Sequence, residues 1–210
     1  MKVLVINAGS SSLKYQLLDM TNETVIAKGG CERIGLEGAF VKHKANGKET
    51  KIEKAMPNHS VAIDLVLNTL MDENIGVIKS LAEIDAFGHR VVHGAETYTE
   101  SKICTEEDLK VLKTMIDFAP LHLPANILGI EACKAVAPQI PNVMVFDTSF
   151  HRTMPKHAYL YALPLELYEE HKIRRYGFHG MSHKYVSEEM VKMLNKPVED
   201  TKIVTCHLGN

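Results

Sequence analysis

The sequence predicts an α/β protein, and three observations carry that prediction. A β-branched and aliphatic run from Lys2 to Asn7 breaks into Ala8-Gly9-Ser10-Ser11-Ser12, as a strand entering a tight loop does. From Ser60, the apolar residues Ile63, Leu67, Leu70 and Met71 recur at helical spacing, and Ala86 to Val92 follows as a buried strand. Farther along, helical stretches delimited by Pro120, Pro124 and Pro138 precede Asn142 to Phe146, a strand that delivers Asp147 at its C-terminal end. Helices that alternate with buried strands build sheets covered by helices.

Taken in order, the elements fill in this plan. Beyond the first loop, Leu13, Tyr15 and Leu17 alternate with Lys14 and Gln16, the pattern of a strand with one buried face, so the loop joins strand to strand. Thr24 to Lys28 reads as a third strand. Gly35, Gly38, Gly47 and the charges from Lys42 to Lys54 make residues 35–58 a polar hairpin or loop region. Thr105 followed by Glu106, Glu107 and Asp108 is a capping-box pattern that also sets acidic groups at the positive end of a helix dipole. Pro120 is expected to end that helix and Pro124 to sit in the first turn of the next. Residues 148–155 lack periodicity, and a domain crossing is expected there. Met181 to Leu194 reads as a helix ending before Lys196-Pro197. Lys202 to Cys206 reads as a last strand leading into His207-Leu208-Gly209-Asn210. A domain ending at a strand tip would leave an open edge and an uncovered core face, so the 210 residues are expected to be part of a longer polypeptide.

Composition removes several function classes. At 45% hydrophobic, a chain of this length can bury a core in one large domain or two modest ones. Its 24 basic and 26 acidic residues leave a formal charge of −2, so neither nucleic acid nor a membrane surface is an expected partner. Val3 to Ile6 is too short for a signal-peptide core or a membrane span. Cys31, Cys104, Cys133 and Cys206 are scattered with no C-x-x-C pair, which speaks against a zinc site or disulfide framework and fits a reducing cytoplasm.

Four segments concentrate chemistry. The loop from Asn7 to Lys14 offers open backbone N–H groups, three hydroxyls and one ammonium, which suit phosphate oxygens or a hydrated metal. It is not a P-loop, because no G-x-x-x-x-G-K-[ST] string is present and a strand follows. A hairpin whose serines only hydrogen-bond within the turn is the alternative. In Gly88-His89-Arg90-Val91-Val92-His93-Gly94, a guanidinium within an apolar strand needs an anion: a ligand carboxylate or phosphate, or a protein carboxylate in a structural salt bridge. His89 and His93 read as satisfied structural histidines. Asp147 stands at a strand end, where open α/β sheets place ligand chemistry, or caps a turn. Arg174-Arg175-Tyr176-Gly177-Phe178-His179-Gly180-Met181-Ser182-His183 gathers arginines, aromatics and histidines; His179 and His183 are four apart but lack a zincin glutamate between them, so a histidine that stabilises charge on a transferring group is at least as good a reading as a zinc site.

Together these segments resemble the acetate kinase family. The resemblance rests on Val3 to Lys14, Gly88 to Gly94, Phe146-Asp147-Thr148-Ser149-Phe150-His151, Arg175 to Gly180 and His207 to Asn210, in order from end to end. Ala95 departs from it, since a second glycine is expected after Gly94. The resemblance implies the acetate and sugar kinase, Hsp70 and actin superfamily, with its ribonuclease H-like, actin-like ATPase fold. A nearly complete first domain would span 1–148 and the start of a truncated second domain 149–210. A family chain would be about twice this length, with most of the adenosine pocket, a second arginine and a metal-binding glutamate in the remainder.

The implied activity is reversible transfer of the ATP γ-phosphoryl group to acetate, giving acetyl phosphate and ADP, with Mg²⁺ as cofactor. By resemblance, Asn7 sits near the metal, and Ser10, Ser12 and Lys14 line the phosphate region. Arg90 binds the substrate carboxylate, Asp147 serves the metal or the proton, and His179 stabilises the transferring phosphoryl. Val92, Leu121 and Phe178, with His122 nearby, wall the methyl group, while His207, Leu208, Gly209 and Asn210 begin a second phosphate loop. The full-length protein is expected to be a cytoplasmic homodimer, and the 210-residue piece alone inactive. A propionate or butyrate kinase stays open, because one methylene changes affinity by only ~1–3 kcal/mol. A non-catalytic nucleotide-dependent binding module is the reading from another class.

Overall fold

The computed structural model describes residues 1–209. The chain forms two compact units, Met1–Val91 with Lys102–Val145, and Val92–Ser101 with the residues from Phe146 onward.

In the first unit, strands β1 (Lys2–Ala8), β2 (Ser12–Asp19), β3 (Thr24–Glu32), β4 (Phe40–Ala45), β5 (Lys48–Glu53), β6 (Ala86–Val91), β7 (Lys102–Ile103) and β8 (Asn142–Phe146) make one sheet. Their order is β5-β4-β3-β2-β1-β6-β8-β7. Neighbours from β1 to β5 run antiparallel, whereas β1 and β6 are parallel. The polar stretch after residue 35 becomes the β4–β5 hairpin, turned at Asn46-Gly47 with both residues at positive φ (51° and 75°), as a two-residue hairpin turn demands.

Helices α1 (His59–Leu70), α2 (Glu106–Thr114) and α3 (Leu123–Val136) complete this unit. α1 packs on α3, and α3 on β1 and β6. The core is the alternate set from the strands (Leu4, Ile6, Leu13, Leu17, Val41) together with Ile63, Val66, Leu67 and Leu70 of α1. The capping box at Thr105 is formed: its side chain accepts from the Asp108 amide, and the Asp108 carboxylate accepts from the Thr105 amide.

Two expectations change. The helix from Thr105 ends at Thr114, not at Pro120. Met115, Phe118 and Ala119 donate to carbonyls three residues back, a 3₁₀ continuation that tightens the chain. Ala119, which precedes proline, is then driven out of the helical region (φ −153°, ψ 65°). Lys202 to Cys206 is not a strand. A strand needs a partner, and among the described residues the second unit contains no strand beyond the last residue of β8; Val204 is 91% exposed.

The second unit contains α4 (Lys156–Tyr159), α5 (Glu166–His171) and α6 (Gly180–Leu194). Residues 92–101 belong to it because the Gly94 amide donates to Thr148 Oγ1 (3.1 Å) and Tyr98 stacks on Phe146 (4.7 Å, 7°). α6 buries only Gly180. Its apolar side chains Tyr185, Val186, Met190, Met193 and Leu194 are exposed. Among the described residues no helix is long and apolar enough to cross a membrane.

Candidate active site

Strand register builds the first cluster. Asn7 pairs with Lys14 across β1 and β2, and Ile6 pairs with His89 across β1 and β6. Side chains alternate faces along a strand, so Arg90 shares the Asn7 face while Ile6 and His89 point into the core. Asn7, Lys14 and Arg90 accordingly line one groove of about 900 Å³ on the open face of the sheet, with Lys28, Lys42 and Glu32. Ser10 and Ser12 do not line it. They lie in the turn closed by the Gly9 amide donating to the Ser12 carbonyl (2.8 Å).

Two residues that the sequence did not single out hold this turn. His59, in the first turn of α1, hydrogen-bonds through Nε2 to the Gly9 carbonyl (2.7 Å), and Asn126 of α3 donates to the Ala8 carbonyl (3.1 Å). A buried asparagine inside the apolar stretch of α3 was the one available signal. Leu121 and His122 stand at the entry to α3 and are exposed, Leu121 by 82%.

His89 fills a structural role. Asn142 donates its amide N–H to the Ile140 carbonyl, so its oxygen accepts from His89 Nε2 at 2.7 Å. Burial pushes the His89 pKa down to about 4 against the opposing effect of that bond, and the ring is neutral at pH 7. Burial likewise pushes the Cys31 and Cys104 thiols up to about 12 and about 11. Neither is an activated nucleophile.

The second unit places Asp147 and His179 together. Asp147 is 1% exposed, and His179 Nδ1 lies 4.0 Å from its Oδ2. The approach depends on Gly180, whose amide donates to the Asp147 carbonyl (2.9 Å). A Cβ at Gly180 would sit 2.2 Å from that carbonyl oxygen. His179 is left-handed (φ 56°) just before α6, a strained conformation for a non-glycine residue. His207 stacks on His179 (4.3 Å, 1°) and reaches Ser182 Oγ through Nδ1 (3.0 Å), a pairing no sequence spacing indicated. Leu208 and Gly209 are exposed; Asn210 lies outside the described residues. Val92 is half-buried, and Phe178 is 45% exposed with one edge against His93. No group of three or more His, Cys, Asp or Glu side chains that could hold a metal occurs among the described residues.

The profile of the acetokinase family matches residues 2–210. The chain belongs to the acetokinase family. It is 60% identical to the acetate kinase of Acetivibrio thermocellus, covering 100% of this chain and 53% of that protein. The crystal structure of Porphyromonas gingivalis acetate kinase superposes with a TM-score of 0.88 at 48% identity, over 92% of this chain and 49% of that one. A propionate kinase from Francisella tularensis gives a TM-score of 0.86 at 39% identity, over 93% and 49%. The mixed α/β, actin-like ATPase fold that the resemblance implied is the fold of this family member. The chain spans about half the length of the curated relatives it matches.

Proposed function

We propose that the full-length protein is a cytoplasmic, homodimeric acetate kinase that uses Mg²⁺ and transfers the γ-phosphoryl group of ATP to a carboxylate oxygen of acetate. One P–O bond to ADP breaks and one to acetate forms. The observation that carries the reading is the convergence of Asn7, Lys14 and Arg90 on one sheet face in a chain of the acetokinase family. A first actin-like ATPase domain would run over 1–148, with a second starting at 149.

Phosphoryl transfer asks the protein for positioning and charge neutralisation more than for covalent help. Arg90 holds the acceptor carboxylate in the bidentate geometry of guanidinium. Val92, Leu121 and Phe178, with His122, wall the methyl group. Ser10, Ser12 and Lys14 bind phosphate oxygens, with His207, Leu208, Gly209 and Asn210 as the start of a second phosphate loop. Buried Asp147 holds the metal or a proton and orients His179, whose imidazole stabilises the charge of the phosphoryl in flight. Mg²⁺ prefers oxygen donors and keeps several waters and substrate phosphates, and the side-chain oxygens of Asn7 and of Asp147 are each donors of that kind. When bound, it would neutralise phosphate charge.

A propionate kinase is the second reading, favoured by the Francisella tularensis structure. Rates of ADP formation by the full-length enzyme with acetate, propionate and butyrate separate the two. Arg90→Ala is expected to lower kcat/KM for acetate by roughly 10²–10³-fold, the loss typical of one charge-stabilising donor, with ATP binding retained. Normal turnover in that variant would remove Arg90 from the carboxylate site.

A further inference from the structure

We infer that His93 is a positioning residue that holds the Phe178 ring and thereby sets the width of the acyl pocket, and with it the choice between acetate and longer carboxylates. The inference rests on the proposed placement of Phe178 against the methyl group of the substrate.

Phe178 has little backbone to fix it. It lies outside any helix or strand, between Gly177 and His179, which are both at positive φ (79° and 56°), and nearly half of it faces solvent. The orientation of its ring is therefore set by what its buried edge touches. The Phe178 ring meets the buried ring of His93, T-shaped at 5.6 Å and 67°. Edge-to-face contact is directional, because the ring quadrupole favours it over sliding.

His93 is suited to be the fixed member of the pair. It is 2% exposed, and its Nδ1 accepts from the Ala95 amide at 2.9 Å, which places the ring proton on Nε2 and restrains rotation. Burial pushes its pKa down to about 4, so the ring stays neutral and of one shape over the physiological range. The His93 ring also meets Tyr176, T-shaped at 4.5 Å. Tyr176 is anchored in turn: its hydroxyl donates to the Lys172 carbonyl (3.0 Å), and the Arg174 guanidinium lies 5.0 Å from its ring. Arg174 sits 3.5 Å over the Tyr159 ring and pairs with Glu96 at 2.8 Å. Glu96 and His93 belong to one short segment, so 92–101 grips 174–178 at two points, an ion pair and a ring contact.

The test measures kcat/KM of the full-length enzyme for acetate and propionate in wild type, His93→Asn, His93→Ala and each combined with Phe178→Ala. His93→Asn keeps an acceptor for the Ala95 amide at the position of Nδ1 and removes the ring, and it carries the test if His93→Ala does not fold. The expected result is a propionate-to-acetate ratio raised about tenfold, the low end of what one methylene commands, with KM for ATP unchanged. On the Phe178→Ala background the His93 substitutions should add nothing to the ratio. A folded variant with the wild-type ratio, or the same shift without Phe178, overturns the inference. Wild type inactive on every carboxylate would instead overturn the kinase reading on which it rests.

Discussion

Acidification should destabilise the first unit through His89, by an amount that burial sets. In the unfolded chain a histidine titrates near 6.5, whereas burial pushes folded His89 down to about 4. Between those values the unfolded state carries a proton that the folded state refuses, so stability falls as pH falls. The contribution is intact above pH ~6.5, declines by about 1.4 kcal/mol per pH unit below it, and levels off near pH 4 after a total of roughly 3 kcal/mol. Urea unfolding at several pH values from 7.5 to 4.5, in wild type and His89→Gln, measures the difference. Glutamine cannot titrate but can still donate to Asn142. His43, His93 and His151, whose pKa values burial also lowers, contribute to both proteins and cancel in the comparison. Wild type should lose about one proton's worth of stability more per pH unit than the variant. Parallel pH profiles for the two proteins would refute the assignment of a buried neutral imidazole at this position.

Three further outcomes are expected. His179→Ala in the full-length enzyme should lower kcat far more than it raises KM, because the charge interaction proposed for His179 belongs to the transition state; equal losses in substrate binding would make it a binding residue. Ala95→Gly should raise stability by about 0.5–1 kcal/mol in thermal unfolding, since Ala95 is left-handed (φ 48°) and an L-residue there costs ~1–2 kcal/mol, partly offset by the entropy of glycine; a lower melting temperature would contradict this. The 210-residue chain on its own should show no acetate kinase turnover and should bind a hydrophobic dye through the exposed apolar side chains of α6, and turnover comparable to the full-length enzyme would show that nothing beyond it is needed.

The sequence by itself determined what is local. Apolar alternation in Leu13-Lys14-Tyr15-Gln16-Leu17 placed β2, and the box at Thr105 and the proline in the first turn at Pro124 placed two helix starts. Family motifs marked Asn7, Arg90, Asp147 and His179, and the missing glycine at Ala95 turned out to be a residue in a left-handed conformation. Spacing could not decide which of these share a surface. Asn7, Lys14 and Arg90 meet because β6 inserts beside β1 in a parallel register that turns Arg90 to the Asn7 face, and a slip of one residue would have buried Arg90 in the core. Pairing partners for β-structure lie far off in the chain, which is why the apolar run Lys202 to Cys206 read as a strand and is not one. The same non-locality hid the His59 and Asn126 bonds to the Ala8-Gly9 turn, as well as the His179–His207 stack. Each joins residues at least 28 positions apart; at the buried His59 and Asn126 it is the exclusion of water that obliges the polar groups to find partners, whereas the exposed His179 and His207 meet only because the fold brings their segments together.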